Sequence, residues 1–221
     1  MVRRTKEDAA VTREQLLDAA ERAFREHGVT RTSLAEIAAA AGVTRGAVYW
    51  HFRDKSDLFS AMCERATLPF EVLLERAGGL VASDPLGTLH ALAVAVLTHL
   101  STDPRSRIVF EVLSHKWELA EELAPIAERR NRDHRVCASQ VERLLAMAVE
   151  AGQLPADTNV TMASHALLAF VTGVMNEWMK DVSAYDLAEA APTLVDIVFS
   201  GLLAKPPRRA SSAQPESSAA A

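Results

Sequence analysis

The sequence predicts an all-α protein of about nine helices, with a small N-terminal three-helix helix-turn-helix unit followed by a larger helical domain. Three observations lead there. The chain is 49% hydrophobic but only 5% aromatic, and alanine and leucine, both strong helix formers, dominate it. Apolar residues recur at i, i+3, i+4 and i+7 behind capping signals. No strand-like alternation persists, and no segment repeats.

Thr12 with Gln15 reads as a capping box opening the first helix. Leu16, Ala20, Ala23 and Phe24 are its inner stripe, and Gly28 ends it after His27. Ser33 with Glu36 is a second capping box, followed by Leu34, Ile37, Ala38 and Ala41 before Gly42 breaks the helix. Thr44 caps a short third helix from Arg45 to about His51. Asp54 with Asp57 starts a fourth, expected to run to Ala77 before Gly78 and Gly79. Further helices are expected at Pro85–Leu100, Pro104–Trp117, Pro125–Ala151, Val160–Lys180 and Tyr185–Ala204. The resulting division is a flexible basic arm (1–11), a helix-turn-helix domain (12–59), a larger helical domain (60–204) and a disordered Pro/Ser/Ala-rich tail (205–221).

The 221 residues carry a formal net charge of −5, unevenly spread. Residues 1–60 hold ten Lys/Arg against nine Asp/Glu, and the remainder fourteen against twenty, so a polyanion is better tolerated at the N-terminal end. The two cysteines, Cys63 and Cys137, sit far apart in helical settings and imply no disulfide framework. The start, MVRRTKEDAA, has no apolar core of a signal peptide, and a cytoplasmic location is expected. The uncharged runs Leu86–Thr102 and Asn159–Asn176 carry polar residues at intervals and read as helices buried in protein, so no membrane span is expected.

The stretch VTRGAVYWHFRDKSDLF, Val43 to Phe59, sets basic and aromatic residues beside a glycine. Two short helices joined by AGV, the second opening TRGA, form a helix-turn-helix pattern, whose second helix enters the DNA major groove. Arg45 suits a guanine edge or a phosphate. Gly46 and Ala47 are small enough for close backbone approach. Val48 and Phe52 face inward. Tyr49 and His51 can donate to phosphate oxygens, Trp50 offers an indole N–H and a flat apolar body, and Lys55 lies where a helix start also attracts phosphate.

Residues 12–59 closely resemble, without a gap, the DNA-binding domain of TetR-family transcriptional repressors. The start MVRRTKE, HKWEL at His115–Leu119 and GQLP at Gly152–Pro155 are similar to the AcrR/TtgR branch, which represses multidrug efflux pump operons. The resemblance implies a homodimer on double-stranded operator DNA, with contacts at Ser33, Thr44, Arg45, Gly46, Tyr49, Trp50, His51 and Lys55. Arg3, Arg4 and Lys6 would be the family's basic arm, and a merely solubilising arm is an equal alternative.

The larger domain offers no catalytic constellation. His90, His99, His115, His134 and His165 are scattered, and no H-E-x-x-H, C-x-x-C or G-x-S-x-G pattern occurs, so neither a metal nor a cofactor nor an enzyme activity is expected. Glu111 and His115, at i and i+4, read as an intrahelical pair. The mixed-sign run ERRNRDHR at 128–135 reads as a solvated face. Apolar helix surface exceeds what one core needs. The resemblance implies a pocket for hydrophobic small molecules among Leu92, Val96, Phe110, Leu113, Ser114, Trp117, His134, Cys137, Val141, Leu168, Val171 and Met175, with Thr172 a further polar point. It also implies a dimer seam from the last two helices, for which Phe170, Val174, Trp178, Leu194, Val198 and Leu202 are the surplus apolar residues. A helix-turn-helix regulator of unrelated metabolic genes, or one without an effector, is the alternative.

Overall fold

The computed structural model describes residues 6–66, 72, 83–115 and 124–209. Among them are nine helices: α1 (Lys6–His27), α2 (Leu34–Ala40), α3 (Arg45–His51), α4 (Lys55–Ala66), α5 (Pro85–Thr102), α6 (Pro104–His115), α7 (Ala124–Glu150), α8 (Val160–Trp178) and α9 (Leu187–Ala204). The only extended pairing among the described residues is an isolated bridge between Thr158 and Arg208.

The capping signals at Ser33, Thr44 and Asp54 act as the sequence predicts. Ser33 Oγ accepts from the Glu36 amide while the Glu36 carboxylate accepts from the Ser33 amide at 2.6 Å. These contacts hold the Glu36 carboxyl below its ordinary range. Thr44 Oγ1 accepts from the Ala47 amide. Asp54 Oδ1 takes the Asp57 amide, and Asp57 in turn takes that of Arg53.

Thr12 does not cap α1. The helix begins at Lys6, so the expected flexible arm is helical from that residue on, and buried Thr12 donates from within the helix to the Asp8 carbonyl. A threonine hydroxyl satisfied by the carbonyl four residues back no longer competes for an N-cap. Glu7 and Asp8 instead place negative charge in the first turn, where the helix dipole favours it.

The tail also differs from expectation over residues 205–209. Pro206 is buried, the Asn159 amide donates to the Pro207 carbonyl at 2.7 Å, and Arg208 grips both oxygens of Asp157 at 2.5 Å. A composition that argues for disorder is overridden here by an ion pair, with Arg208 Nη1 between both Asp157 oxygens, and by backbone bonds. Arg3, Arg4, Trp117, most of 67–82 and residues 210–221 lie outside the described residues.

Two apolar cores exist, and their boundary is not the one expected at residue 59. The N-terminal core holds Leu16, Phe24, Ile37, Val48, Phe52, Leu58, Phe59 and Met62, and also Val109 and Val112 from α6. The second core joins α5, α7, α8 and α9 through Leu89, Leu97, Leu145, Leu167, Val195 and Phe199. Phe110, on another side of α6, packs against this second core. One short helix therefore contributes to both the N-terminal head and the C-terminal body.

Charged contacts reinforce the head and its seam with the body. Arg65 on α4 meets Glu14, Asp18 and Glu21 on α1, Arg105 reaches Asp18, and Arg25 pairs with Glu111 at 3.0 Å. Burial disfavours the Arg65 charge, yet the three carboxylates more than offset this and raise its pKa further.

Candidate DNA-binding face and regulatory body

The turn between α2 and α3 sets the angle of α3. Gly42 has φ +68°, its amide bonds to the Ala39 carbonyl, and the next amide, of Val43, bonds to the Ala38 carbonyl. That left-handed step strains any residue with a Cβ, which is why the helix ends at this glycine. Beyond it, buried Val48 and Phe52 pin α3 to the core, and the helix presents its remaining face outward.

On that face Ser33, Thr44, Arg45, Gly46, Tyr49 and Trp50 are all exposed, and His51 is half-buried. Trp50 is 72% exposed and packs edge-on against His51, with ring centres 4.6 Å apart. Arg45 Nη2 donates to the Tyr49 hydroxyl at 3.2 Å and its guanidinium lies over the same ring. The pair shares one face with Ser33, Arg53 and the α1–α2 turn, around a shallow cleft of about 570 Å³. A Cβ added to Gly46 would come no nearer than 3.9 Å to another atom, that being Thr44 Oγ1. Nothing inside the chain requires glycine there, so its small size matters only to something approaching from outside.

Lys55 departs from the sequence reading. It is only 8% exposed, and its ammonium donates to the carbonyls of Thr30 and Thr32, 3.2 Å each. It ties the α1–α2 turn to the start of α4 instead of standing free toward a phosphate. Burying a lysine stem while its head group satisfies loop carbonyls is the alternative that a helix-start position also permits.

In the body, Leu92, Phe110, Val141, Val171 and Met175 converge on the second core, and Val96 and Leu168 are half-buried. Leu113 packs on the head core. Ser114, His134, Cys137 and Thr172 are exposed in the single chain. The α7 helix is solvent-facing over residues 131–137 and enters the core only from Val141 onward, so His134 and Cys137 fall on its outlying half. A separate open cleft of about 1270 Å³ lies between α1, α6 and the α8–α9 connection, lined by Arg25, Arg107, Ile108, Glu111, Trp178 and Tyr185 among others. None of the described residues expected to bind ligand lines it, though the buried indole of Trp178, expected at the dimer seam, forms part of its wall.

Five of the six residues expected at the seam pack within this chain. Trp178 and Leu202 are buried, the Trp178 indole N–H donating to the Tyr185 carbonyl at 3.1 Å. Val174, Leu194 and Val198 pack on the second core, and Phe170 is half-buried. The faces of α8 and α9 left uncovered carry Met162, Ala166, Ala169 and Gly173, and Thr193, Ile197, Ser200 and Leu203. Small residues mark the open side of α8, whereas that of α9 also carries Ile197 and Leu203. Among the described residues α9 is the one helix long and apolar enough to cross a membrane by length and composition, yet only 28% of it is buried.

A buried-backed helix-turn-helix with basic and aromatic side chains on its free face, carried on an all-helical body, defines a DNA-binding transcriptional regulator. Residues 16–62 match the profile of bacterial regulatory proteins of the tetR family, and residues 84–203 match that of the MAATS-type transcriptional repressor C-terminal region. The chain belongs to the TetR family. It is 39% identical over 196 residues to the HTH-type transcriptional regulator TtgR of Pseudomonas putida, covering 89% of this chain and 93% of the relative. The solved structure of NalD, the secondary repressor of the MexAB-OprM multidrug efflux pump in Pseudomonas aeruginosa, superposes with a TM-score of 0.79 at 39% identity. That match covers 89% of this chain and 98% of NalD. A SmeT–triclosan complex aligns at TM-score 0.74 and 36% identity, over 86% and 91% of the two chains. SmeT is the repressor of the Stenotrophomonas maltophilia efflux pump SmeDEF.

Proposed function

We propose that this chain is a cytoplasmic homodimeric repressor of a multidrug efflux operon, bound to a partly palindromic operator and released by hydrophobic small molecules. The observation that carries the reading is the free face of α3, where Arg45, Gly46, Tyr49 and Trp50 stand exposed while Val48 anchors the helix from behind. Ser33, Thr44 and His51 flank it as phosphate or sugar contacts, and Lys55 contributes by fixing the loop that presents Ser33. The efflux target rests on TtgR, NalD and SmeT as relatives. The effector class rests on the triclosan bound to SmeT and on the apolar interior around Leu92, Phe110, Val141, Val171 and Met175.

The dimer would form through the uncovered sides of α8 and α9, with Ala166, Ala169, Gly173, Ile197 and Ser200 at its centre. Small residues let helices approach closely, and a second copy would cover the apolar surface of α9. Two α3 helices must then sit one DNA turn, roughly 34 Å, or a multiple of it apart. A ligand repacking the body around Phe110 would displace α6. Because Val109 and Val112 of that helix belong to the head core, the heads would shift with it. Coupling of about 1–3 kcal/mol weakens operator binding roughly 5–150-fold.

Fluorescence anisotropy on duplexes from the region upstream of the chain's own gene tests the reading. The wild type should prefer them to random duplex, and Arg45→Ala should lose about 1–3 kcal/mol of that preference. Equal affinity for both duplexes would sink it.

A further inference from the structure

The carbonyl of Ala66, at the end of α4, is held from both arms of the α5–α6 corner. Ser106 on α6 donates its hydroxyl to that oxygen at 2.6 Å, and His99 on α5 places Nε2 3.1 Å from it. The same Ser106 oxygen lies 2.7 Å from His99 Nε2 and 2.8 Å from Asp103 Oδ2. Asp103 also accepts from the amides of Arg105 and Ser106, closing the corner. Ser106 is 8% exposed and Ala66 4%, so water offers little substitute for these bonds.

The proton count is restrictive. A serine hydroxyl has one proton, so at any moment Ser106 donates either to the Ala66 carbonyl or to the Asp103 carboxylate, not to both. Burial pushes the Asp103 carboxyl up. The Ser106 hydroxyl, the two amides and the nearby His99 outweigh this and keep it below its ordinary range, so it stays an acceptor near neutral pH. An N–H at His99 Nε2, 3.1 Å from the Ala66 carbonyl, gives that oxygen a second donor when Ser106 turns to Asp103. The two side chains thus converge on one carbonyl from two helices.

We infer that His99 and Ser106 are positioning residues that latch α4, and with it the DNA-binding head, to the α5–α6 corner of the body. Ala66 belongs to the head core, while α5 carries Leu92, Leu97 and Leu100 of the body core. The latch therefore adds a buried hydrogen-bonded joint between the two units to the more exposed ion pairs at their seam. The inference rests on the geometry of this joint and does not depend on which operator or effector the protein uses.

Paired spin labels read it directly. One label goes on the head at Arg53→Cys and one on the body at Glu150→Cys, with Cys63 and Cys137 changed to Ser and labelled chains diluted in unlabelled ones. Ser106→Ala should broaden the head-to-body distance distribution. Ser106→Thr, which keeps the hydroxyl, should be narrower than Ser106→Val, which has the same shape without it. His99→Gln, which retains an N–H donor, should stay narrower than His99→Leu. Thermal midpoints taken alongside identify any variant that has merely unfolded. A Ser106→Ala distribution as narrow as wild type, or Thr and Val variants of equal width, would overturn the latch. Loss of operator preference with the latch intact would count against the proposed function alone.

Discussion

Gly46 separates a structural reason for a residue from a functional one. An added Cβ would make only an ordinary contact, 3.9 Å from Thr44 Oγ1. Leucine is a good helix former, so Gly46→Leu should leave the thermal midpoint unchanged or slightly raised. The same variant should lose operator affinity at least about 10-fold, because the added bulk would hold the α3 backbone out of the groove. Circular dichroism melts and anisotropy titrations on one preparation check both halves. At this scale the sequence was legible wherever a residue's role is local. Ser33, Thr44 and Gly42 do what their spacing predicts. Thr12 and Lys55 did not, because each has a second way to satisfy its polar group, one within the helix and one across a loop.

Helices α6 and α9 carry the lessons at the scale of elements. Val112 lies in the C-terminal half of the sequence's division but in the core of the N-terminal half. Val112→Ala should therefore cost about 1–3 kcal/mol in urea unfolding and speed amide exchange in α1 and α4. The chain segment after α9 is tied back by Arg208 on Asp157, whose carboxyl is held below its ordinary 3.8 by the Arg208 hydrogen bonds. A depressed carboxylate stabilises the fold above its ordinary pKa, and this contribution is lost as pH falls through the lowered value. The midpoint deficit of Arg208→Ala should thus be full at about pH 7 and shrink toward about pH 3, as thermal melts across that range would reveal. Helix existence and most ends were readable from caps and periodicity. Which side of α8 and α9 faces inward was not, since both helices are apolar nearly all round and only packing against α5 and α7 breaks the tie.

For the whole molecule, the open question is what covers the exposed side of the last two helices. Ile197 is 62% exposed at the middle of α9 and makes no contribution to the chain's own core. Ile197→Asp should leave a folded monomer by light scattering and remove cooperative operator binding, whereas Leu202→Asp, at a buried site, should fail to fold. A folded Ile197→Asp dimer would place the seam elsewhere. The two-unit organisation itself was visible in the sequence, but the border was not. Contacts between residues nearly a hundred positions apart leave no local signature, and the pattern of α6 is that of any amphipathic helix.

Val109 and Val112 also limit how such regulators can be recombined. A chimera joined just after α4 would bring a foreign pair of side chains into the interior beneath α1 and mismatch Arg25 and Asp18 with new neighbours. Exchange of DNA specificity between relatives should succeed most readily when residues 104–115 travel with the first sixty-six, even though they are not contiguous with them.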